Sequence, residues 1–526
     1  MVPGRGVIAA VVVSMTIAVG CAATTDDEPA ATTTAELPPN QVAGVALPAD
    51  AVNDAVGRLD ELAGSLMDST GIPGMAVAVV HGGKTVYAKG FGVRDVGSGE
   101  PIDPDTVFQL ASVSKSVAAT VVANQVGAET IDWTTPVTTH LPTFALGDPA
   151  VTAQLTVADL LAHRSGLPDH AGDRLEDLGY DRATVLDRLR LEPLDPFRIT
   201  YQYTNFGFTA GAEAVAAAAG TDWAQLSADA LYEPLGMDST SSRFTDYEAR
   251  PNRAVGHVDI DGDWVARYVR DPDAQSPAGG VSSSVNDMTR WLTMLLGTGT
   301  NGSTTIAPPE ALLPAITPQV ISTPAAAADA RAGNYGYGFN VSTSAAGRTT
   351  YSHSGAFALG AATSFLVLPS ADVAIVALTN AAPIGVPETL TAEFADLVQF
   401  GEIREDWRTL YRDAFASMDE PEGDLSGETA PADPAPAKEL AAYTGTFDSD
   451  YWGPAMITTD DTGLVLTIGP AQRRYPLRHW DGDTFAFELR GENAPPGSVS
   501  SATFTGDTLT LDYFDEDGLG TFTRGG

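Results

Sequence analysis

The sequence predicts an α+β domain followed by a small all-β barrel. Strand signals stand at both ends of the larger N-terminal part, a long helical and loop-rich stretch separates them, and short strands recur at close spacing after about Glu439. Strands at both ends with helices between imply one sheet closed by distant parts of the chain.

Taken in order, residues 51–67 place Val52, Val56, Leu59, Leu62 and Leu66 at helical spacing. Two β-branched runs, 75–80 and 85–88, flank His81-Gly82-Gly83-Lys84, the pattern of a hairpin around a Gly-Gly turn. The apolar run 117–126 reads as a helix, and later strands are expected near Val341, Tyr351, Thr363 and Val373. Residues 413–435 hold seven acidic side chains, no basic one and several prolines, which predicts an interdomain linker. Beyond it, eight strand signals begin near Tyr443, Ala455, Leu464, Arg474, Thr484, Ala502, Leu509 and Thr521. About eight strands in so short a stretch predict a small barrel.

Composition narrows the function. The 526 residues allow two or three domains, and an apolar fraction of 44% is ample for their cores. A formal net charge of -39 excludes nucleic-acid binding, which needs a basic face, and docking to anionic lipid through a polybasic patch. Cys21 is the only cysteine, so no intramolecular disulfide forms.

Residues 1–21 carry one charge, Arg5, and then an almost wholly apolar run that is short for a membrane span. The ending Ala18-Val19-Gly20-Cys21 resembles a bacterial lipoprotein box. That resemblance implies lipidation at Cys21 and anchoring to the outer face of the bacterial cytoplasmic membrane. Residues 22–46, rich in Ala, Thr, Pro and acid, are expected to form a flexible tether. The expected domains are thus a signal peptide (1–21), the tether (22–46), a main domain (47–410), an acidic Pro-rich linker (411–437) and the barrel (438–526).

Chemistry concentrates in three short motifs. Ser112 and Lys115 form an S-x-x-K at the start of the 117–126 helix, so they share one helix face. A serine is a weak nucleophile until a base takes its proton, and a lysine with a lowered pKa is such a base. Alone the motif is weak: with four lysines and serine at ~6% usage, chance supplies it roughly one time in four. The bland alternative is a capping serine beside a solvated lysine. Tyr203-Thr204-Asn205, the only Y-x-N, precedes an Ala-rich helix. Its phenol can relay a proton and its amide can orient a carbonyl. His353-Ser354-Gly355 ends a strand, with a glycine that permits close approach to the backbone. Two other H-x-G matches, at His81 and His170, are explained by a hairpin turn and a loop.

Together, the ordered set Ser112-x-x-Lys115, Tyr203-x-Asn205 and His353-x-Gly355 resembles the serine β-lactamase and penicillin-binding-protein superfamily, in its class C-like branch of esterases and D-amino-acid peptidases. Segments such as Leu160-Leu-Ala-His-Arg-Ser-Gly-Leu167 and Pro277-Ala-Gly-Gly-Val-Ser282 agree, and the resemblance covers about residues 50–400. It implies an antiparallel sheet flanked by helices, with a helical region beside it. It further implies that Ser112 forms an acyl-enzyme and that Lys115 and Tyr203 share the base work. Asn205 would hold a substrate amide or the lysine. The backbone N–H groups of Ser112 and Ala356 would form the oxyanion hole. His353 would shape the field around Tyr203 or meet a substrate carboxylate. Many β-lactamases carry lysine where this chain has His353, and a histidine is mostly neutral at pH 7. An esterase or peptidase is therefore expected over a dedicated β-lactamase, with slow β-lactam hydrolysis left open. The alternative is a penicillin-binding or muropeptide-sensing protein that acylates without turnover.

No cofactor and no metal site are expected. His163, which ends a helix before Ser-Gly, is expected to bond the last carbonyls rather than to take part in chemistry. The C-terminal region resembles the lipocalin-like domain appended to some hydrolases of this branch, which implies a role in assembly or in covering the active site. A small-molecule or peptide substrate, of cell-wall origin among the candidates, completes the expected partners; the oligomeric state is left open.

Overall fold

The predicted hairpin forms as strands Gly74–His81 and Lys84–Gly92, joined through Gly82 and Gly83 at φ 60° and 69°. Two successive left-handed residues match the right-handed twist of the flanking strands, and glycine adopts them without a Cβ penalty. The structure is a computed structural model that describes residues 45–461 and 463–525, all within the compact unit Ala43–Gly526. The expected export segment, Cys21 and the expected tether up to residue 44 lie outside the described residues. Among the described residues, no helix is long and apolar enough to cross a membrane.

The hairpin is one edge of an eight-stranded antiparallel sheet. From that edge the order is Lys84–Gly92, Gly74–His81, Val373–Thr379, Ala361–Leu368, Thr349–Phe357, Asn340–Thr343, Gly333–Tyr335 and Val320–Thr323. The strand nearest the start of the fold thus pairs with Val373–Thr379, as in Val77 opposite Ala377. Distant segments close one sheet, as their pattern at the two ends of the domain implies.

Alternation assigns the two faces. Met75, Val77 and Val79 pack with Ile375 and Ala377 against Leu59, Leu62, Leu390 and Phe394 of the helices Leu59–Thr70 and Val386–Phe400. Ala76, Ala78 and Val80 turn the other way, into a core shared with the helices Val113–Gly127 and Val285–Leu296. The helical signal over 51–67 is two helices, Ala51–Gly57 and Leu59–Thr70, with Arg58 between them. The helix Asn205–Ala219 is buried along most of its length by Ala and Gly, which let it approach its neighbours closely.

The C-terminal part is a closed antiparallel barrel of eight strands running in sequence order from Gly445–Ser449 to Thr521–Arg524, which pair to close it. Phe447, Leu466, Phe485, Phe504 and Phe522 fill the interior, with Tyr443 and Phe504 ring centroids 4.8 Å apart. The acidic stretch between the two parts is not a free spacer. Its first residues continue the helix Trp407–Ala416, and later ones bond the barrel, with Leu425 N donating to Val499 O and Gly482 N to Ala435 O.

The barrel sits directly on the main domain. Arg174 Nη1 donates to Tyr513 O, Arg188 Nη1 to Tyr451 O and the Tyr180 hydroxyl to Trp452 O, at 2.6, 2.6 and 2.8 Å. Gly179 meets Ala471 so closely that a Cβ there would lie 2.7 Å from the alanine methyl. Arg270, buried, pairs with Glu176 at 2.6 Å and with Glu492 of the barrel at 3.8 Å.

Candidate active site

Ser112 immediately precedes the helix Val113–Gly127. The capping-serine reading fails on two counts. Ser112 makes no side-chain capping bond, and Lys115 is 0% exposed. Ala111, just before, is held at φ 46°, a left-handed conformation that costs an alanine of order 1–3 kcal/mol. Packing of Ala111 against Phe357 and Ala361 sustains it, and Ser112 is left lining a cleft of ≈ 330 Å³.

Lys115 Nζ donates to Ser112 Oγ at 3.0 Å, to Asn205 Oδ1 at 2.6 Å and to Ala278 O at 3.1 Å. Burial lowers its pKa to about 7, opposed by the charge of Asp173. A substantial share of the molecules therefore carries a neutral Lys115 at neutral pH, able to take the Ser112 proton. Of the two roles open to Asn205, holding the lysine is the one the geometry displays. Its amide Nδ2 donates in turn to Asp173 Oδ2 at 2.7 Å, which fixes the orientation of the oxygen that meets Lys115.

Tyr203 is clamped through its backbone, with its N–H donating to Asp169 Oδ1 at 2.7 Å and its carbonyl accepting from His170 N at 2.8 Å. Burial pushes its pKa well above the ordinary value, opposed in part by the nearby Ser112 side chain. The phenol keeps its proton at neutral pH. Lys115, whose Nζ lies 4.5 Å from the Tyr203 ring centre, is therefore the better proton acceptor of the two.

His353 also lines the cleft, from the strand Thr349–Phe357. Its Nδ1 stands 2.6 Å from Ser354 O and its Nε2 2.8 Å from the Tyr335 hydroxyl. A carbonyl only accepts, so Nδ1 carries the proton and Nε2 accepts from Tyr335. Burial and the nearby Lys115 depress its pKa to about 3. His353 is thus a neutral group with both nitrogens engaged, placed to shape the field near Tyr203 and poorly placed to hold a substrate carboxylate. Gly355 is required by space: a Cβ would stand 2.3 Å from both Leu110 O and Thr363 Oγ1 and 3.0 Å from Ser112 N. This contact brings the strand carrying Ala356 against the Ser112 turn, and both residues line the cleft.

His163 differs from expectation, and His170 lies in the expected loop yet reaches the cleft. His163 does end a helix, Val157–Leu161, but its side chain does not bond the last carbonyls. Its Nδ1 accepts from Thr204 N at 3.1 Å, and its ring packs on Tyr203 at 4.5 Å between centroids. It props the tyrosine. His170, assigned to a loop on sequence grounds, lines the cleft and bonds Asp173 Oδ2 through Nδ1 at 2.8 Å. Two acids, Asp173 and Asp169, outweigh its burial and raise its pKa to about 8. The aspartate three residues after His170 is the signal that marks it. Arg270 and, from the barrel, Glu492 and Asn493 complete the wall; no local sequence signal tied them to Ser112.

The β-lactamase family profile matches residues 59–400, which carry Ser112, Lys115, Tyr203, Asn205 and His353. The chain belongs to the β-lactamase family. This β-lactamase-family chain also matches, over 429–516, a family described as a domain of unknown function (DUF3471). It is 30% identical over 240 residues to an unguisins hydrolase of Aspergillus violaceofuscus, spanning 43% of this chain and 42% of that relative, so less than half the relative's length is matched. A second unguisins hydrolase, from Aspergillus campestris, is 26% identical over 75% of each chain. Penicillin-binding protein 4 of Amycolatopsis lactamdurans is 30% identical over 43% of this chain and 60% of its own. In fold the chain is similar to an octameric penicillin-binding protein homologue from Pyrococcus abyssi, with a TM-score of 0.59 at 20% identity over 87% of this chain and 98% of that one. The main domain has a β-lactamase-like fold and the C-terminal part is a closed barrel.

Proposed function

We propose that this β-lactamase-family hydrolase is an exported serine enzyme of the class C-like branch that cleaves an ester, an amide or a D-amino-acid peptide through an acyl-enzyme on Ser112. The observation that carries the reading is the buried Lys115 Nζ at 3.0 Å from Ser112 Oγ, with burial bringing its pKa to about 7. Lys115 takes the Ser112 proton as the oxygen attacks the acyl carbonyl, and the backbone N–H groups of Ser112 and Ala356 meet the developing oxyanion, worth ~3 kcal/mol per donor. Tyr203 passes the proton to the leaving group. Water then releases the acyl group by the reverse relay. The neutral, fully bonded His353 favours esterase or peptidase chemistry over a dedicated β-lactamase. Export and lipid anchoring at Cys21 rest on the N-terminal sequence alone, and the likeness of the barrel to lipocalin-like domains rests on its sequence pattern.

A second reading draws on the enclosure of the cleft by Phe415, Met418 and the barrel residues Glu492 and Asn493. Such cover suits a sensor that acylates once and retains the adduct. Turnover of p-nitrophenyl esters, nitrocefin and D-alanyl peptides by the wild type and by Ser112→Ala separates these readings. Multiple turnovers lost in Ser112→Ala support the hydrolase; a single stoichiometric burst supports the sensor; equal turnover by both proteins removes Ser112 from the chemistry.

A further inference from the structure

Beside the Ser112 cleft lies a second cavity of ≈ 300 Å³, at the seam between the main domain and the barrel. The two share His170, Asp173, Ala358, Met418, Glu492 and Asn493 as walls, so a substrate can occupy both. The lining of the second cavity is strongly unbalanced. Seven carboxylates face it against two cationic side chains, Arg174 and His170. Both cations are already committed. Arg174 pairs with Glu422 at 3.1 Å and Glu516 at 2.9 Å, and His170 pairs with Asp173.

Two of these carboxylates also hold oxygens with no donor. Asp173 and Glu192 are each 3% exposed, and Asp173 Oδ1 and Glu192 Oε2 have no hydrogen-bond partner among the described residues. The other oxygen of Glu192 accepts from the Tyr451 hydroxyl of the barrel, and no ion pair among the described residues includes Glu192. Burial, with Asp517 and Glu516 nearby, raises its pKa to about 7. A buried carboxylate without a donor costs free energy until a cation or donor reaches it.

We infer that this cavity is a subsite for a primary ammonium group carried by the substrate, seated between Asp173 Oδ1 and Glu192 Oε2. An ammonium offers three donors and one positive charge, which matches two unpartnered oxygens in a negative field. A metal ion fits less well, because no group of three or more His, Cys, Asp or Glu side chains among the described residues converges on one point. The reach is short. Asp173 is joined to Ser112 by three hydrogen bonds, through Asn205 and Lys115. Because Asp173 lines both cavities, a substrate whose carbonyl meets Ser112 can present its amine to Asp173. The barrel supplies Tyr451, Glu492 and Glu516 to this subsite, so the substrate class is set by both parts of the chain.

The inference rests on the hydrolase reading above, and the test separates the two. The full chain is assayed with alanine p-nitroanilide and N-acetylalanine p-nitroanilide, both enantiomers, beside the neutral ester p-nitrophenyl acetate. The subsite predicts kcat/KM at least about tenfold higher for the free amine, with the ratio falling as salt rises. Glu192→Gln shrinks that ratio several-fold. Should Glu192→Gln fold poorly, the salt dependence of the wild type carries the same information. Equal or better turnover of the acetylated substrate, at all salt concentrations, overturns the subsite while leaving the hydrolase standing. If p-nitrophenyl acetate shows no Ser112-dependent turnover, the hydrolase reading falls. The subsite is then judged by calorimetric binding of alaninamide against N-acetylalaninamide, where equal affinities overturn it and a preference for the amine supports it.

Discussion

Lys115 Nζ stands 3.0 Å from Ser112 Oγ, and its two other partners, Asn205 Oδ1 and Ala278 O, are uncharged. A buried lysine bonded to neutral groups loses its proton readily, which is why its pKa falls to about 7. The pH dependence of catalysis follows. kcat/KM for a neutral ester rises through about pH 7 as Lys115 becomes the free base. Stability follows with a definite sign. Between pH 7 and 10.5 an unfolded Lys115 keeps its proton while the folded one has lost it, so the wild type gains stability relative to Lys115→Met as pH rises through that window. The slope approaches about 1.4 kcal/mol per pH unit. Urea denaturation of both proteins at pH 7, 8 and 9 checks this; a gap that stays constant contradicts a depressed lysine.

His353 titrates far below that window, with its pKa at about 3. The rise near pH 7 should therefore persist in His353→Gln, although kcat falls through the lost bond to Tyr335. A pH–rate profile of the variant decides. Disappearance of the rise would assign it to the histidine instead of to Lys115.

Gly355 has no room for a side chain, with Leu110 O and Thr363 Oγ1 each 2.3 Å from the position of a Cβ. Gly355→Ala must push the strand bearing Ala356 away from the Ser112 turn. We expect a loss of about 10²-fold or more in kcat, on the scale of removing one oxyanion donor, together with a lower melting temperature. Turnover near wild type would show that the strand does not need this contact.

Arg270 ties the main domain to the barrel, buried between Glu176 at 2.6 Å and Glu492 at 3.8 Å. Arg270→Ala leaves both carboxylates buried without their cation, a change that typically costs about 3–5 kcal/mol. Chemical denaturation should show a loss of this size, and Glu176→Gln combined with Arg270→Met should recover part of it. A loss below about 1 kcal/mol would mean that solvent reaches the cluster.

Much of this architecture was legible because it depends on local pattern. The Gly82-Gly83 turn, the apolar β-branched run 75–80 and the eight barrel strands each carry their own local composition or turn chemistry. The three motifs pointed to Ser112, Lys115, Tyr203 and His353, and these four do line or border one cleft. Contacts between remote segments left no such trace. Nothing local says that Glu492 accepts from Ala358 N, 134 residues away, or that the acidic stretch after Asp413 packs on the barrel. His170 was hidden for a different reason: an H-x-G in a loop is common, and only the fold brings Asp173 beneath Asn205. His163 was misplaced because a helix-end histidine ordinarily bonds carbonyls, whereas here a positive φ of 54° turns its ring onto Tyr203.

Intact-protein mass spectrometry after mixing with p-nitrophenyl acetate gives the most direct test of Ser112 as an activated nucleophile. The wild type should gain one acetyl group, mapped to Ser112, that decays as turnover proceeds, while Ser112→Ala gains none and loses ~10⁴–10⁶ in kcat. An adduct on another residue, or equal acetylation and turnover in Ser112→Ala, would contradict it.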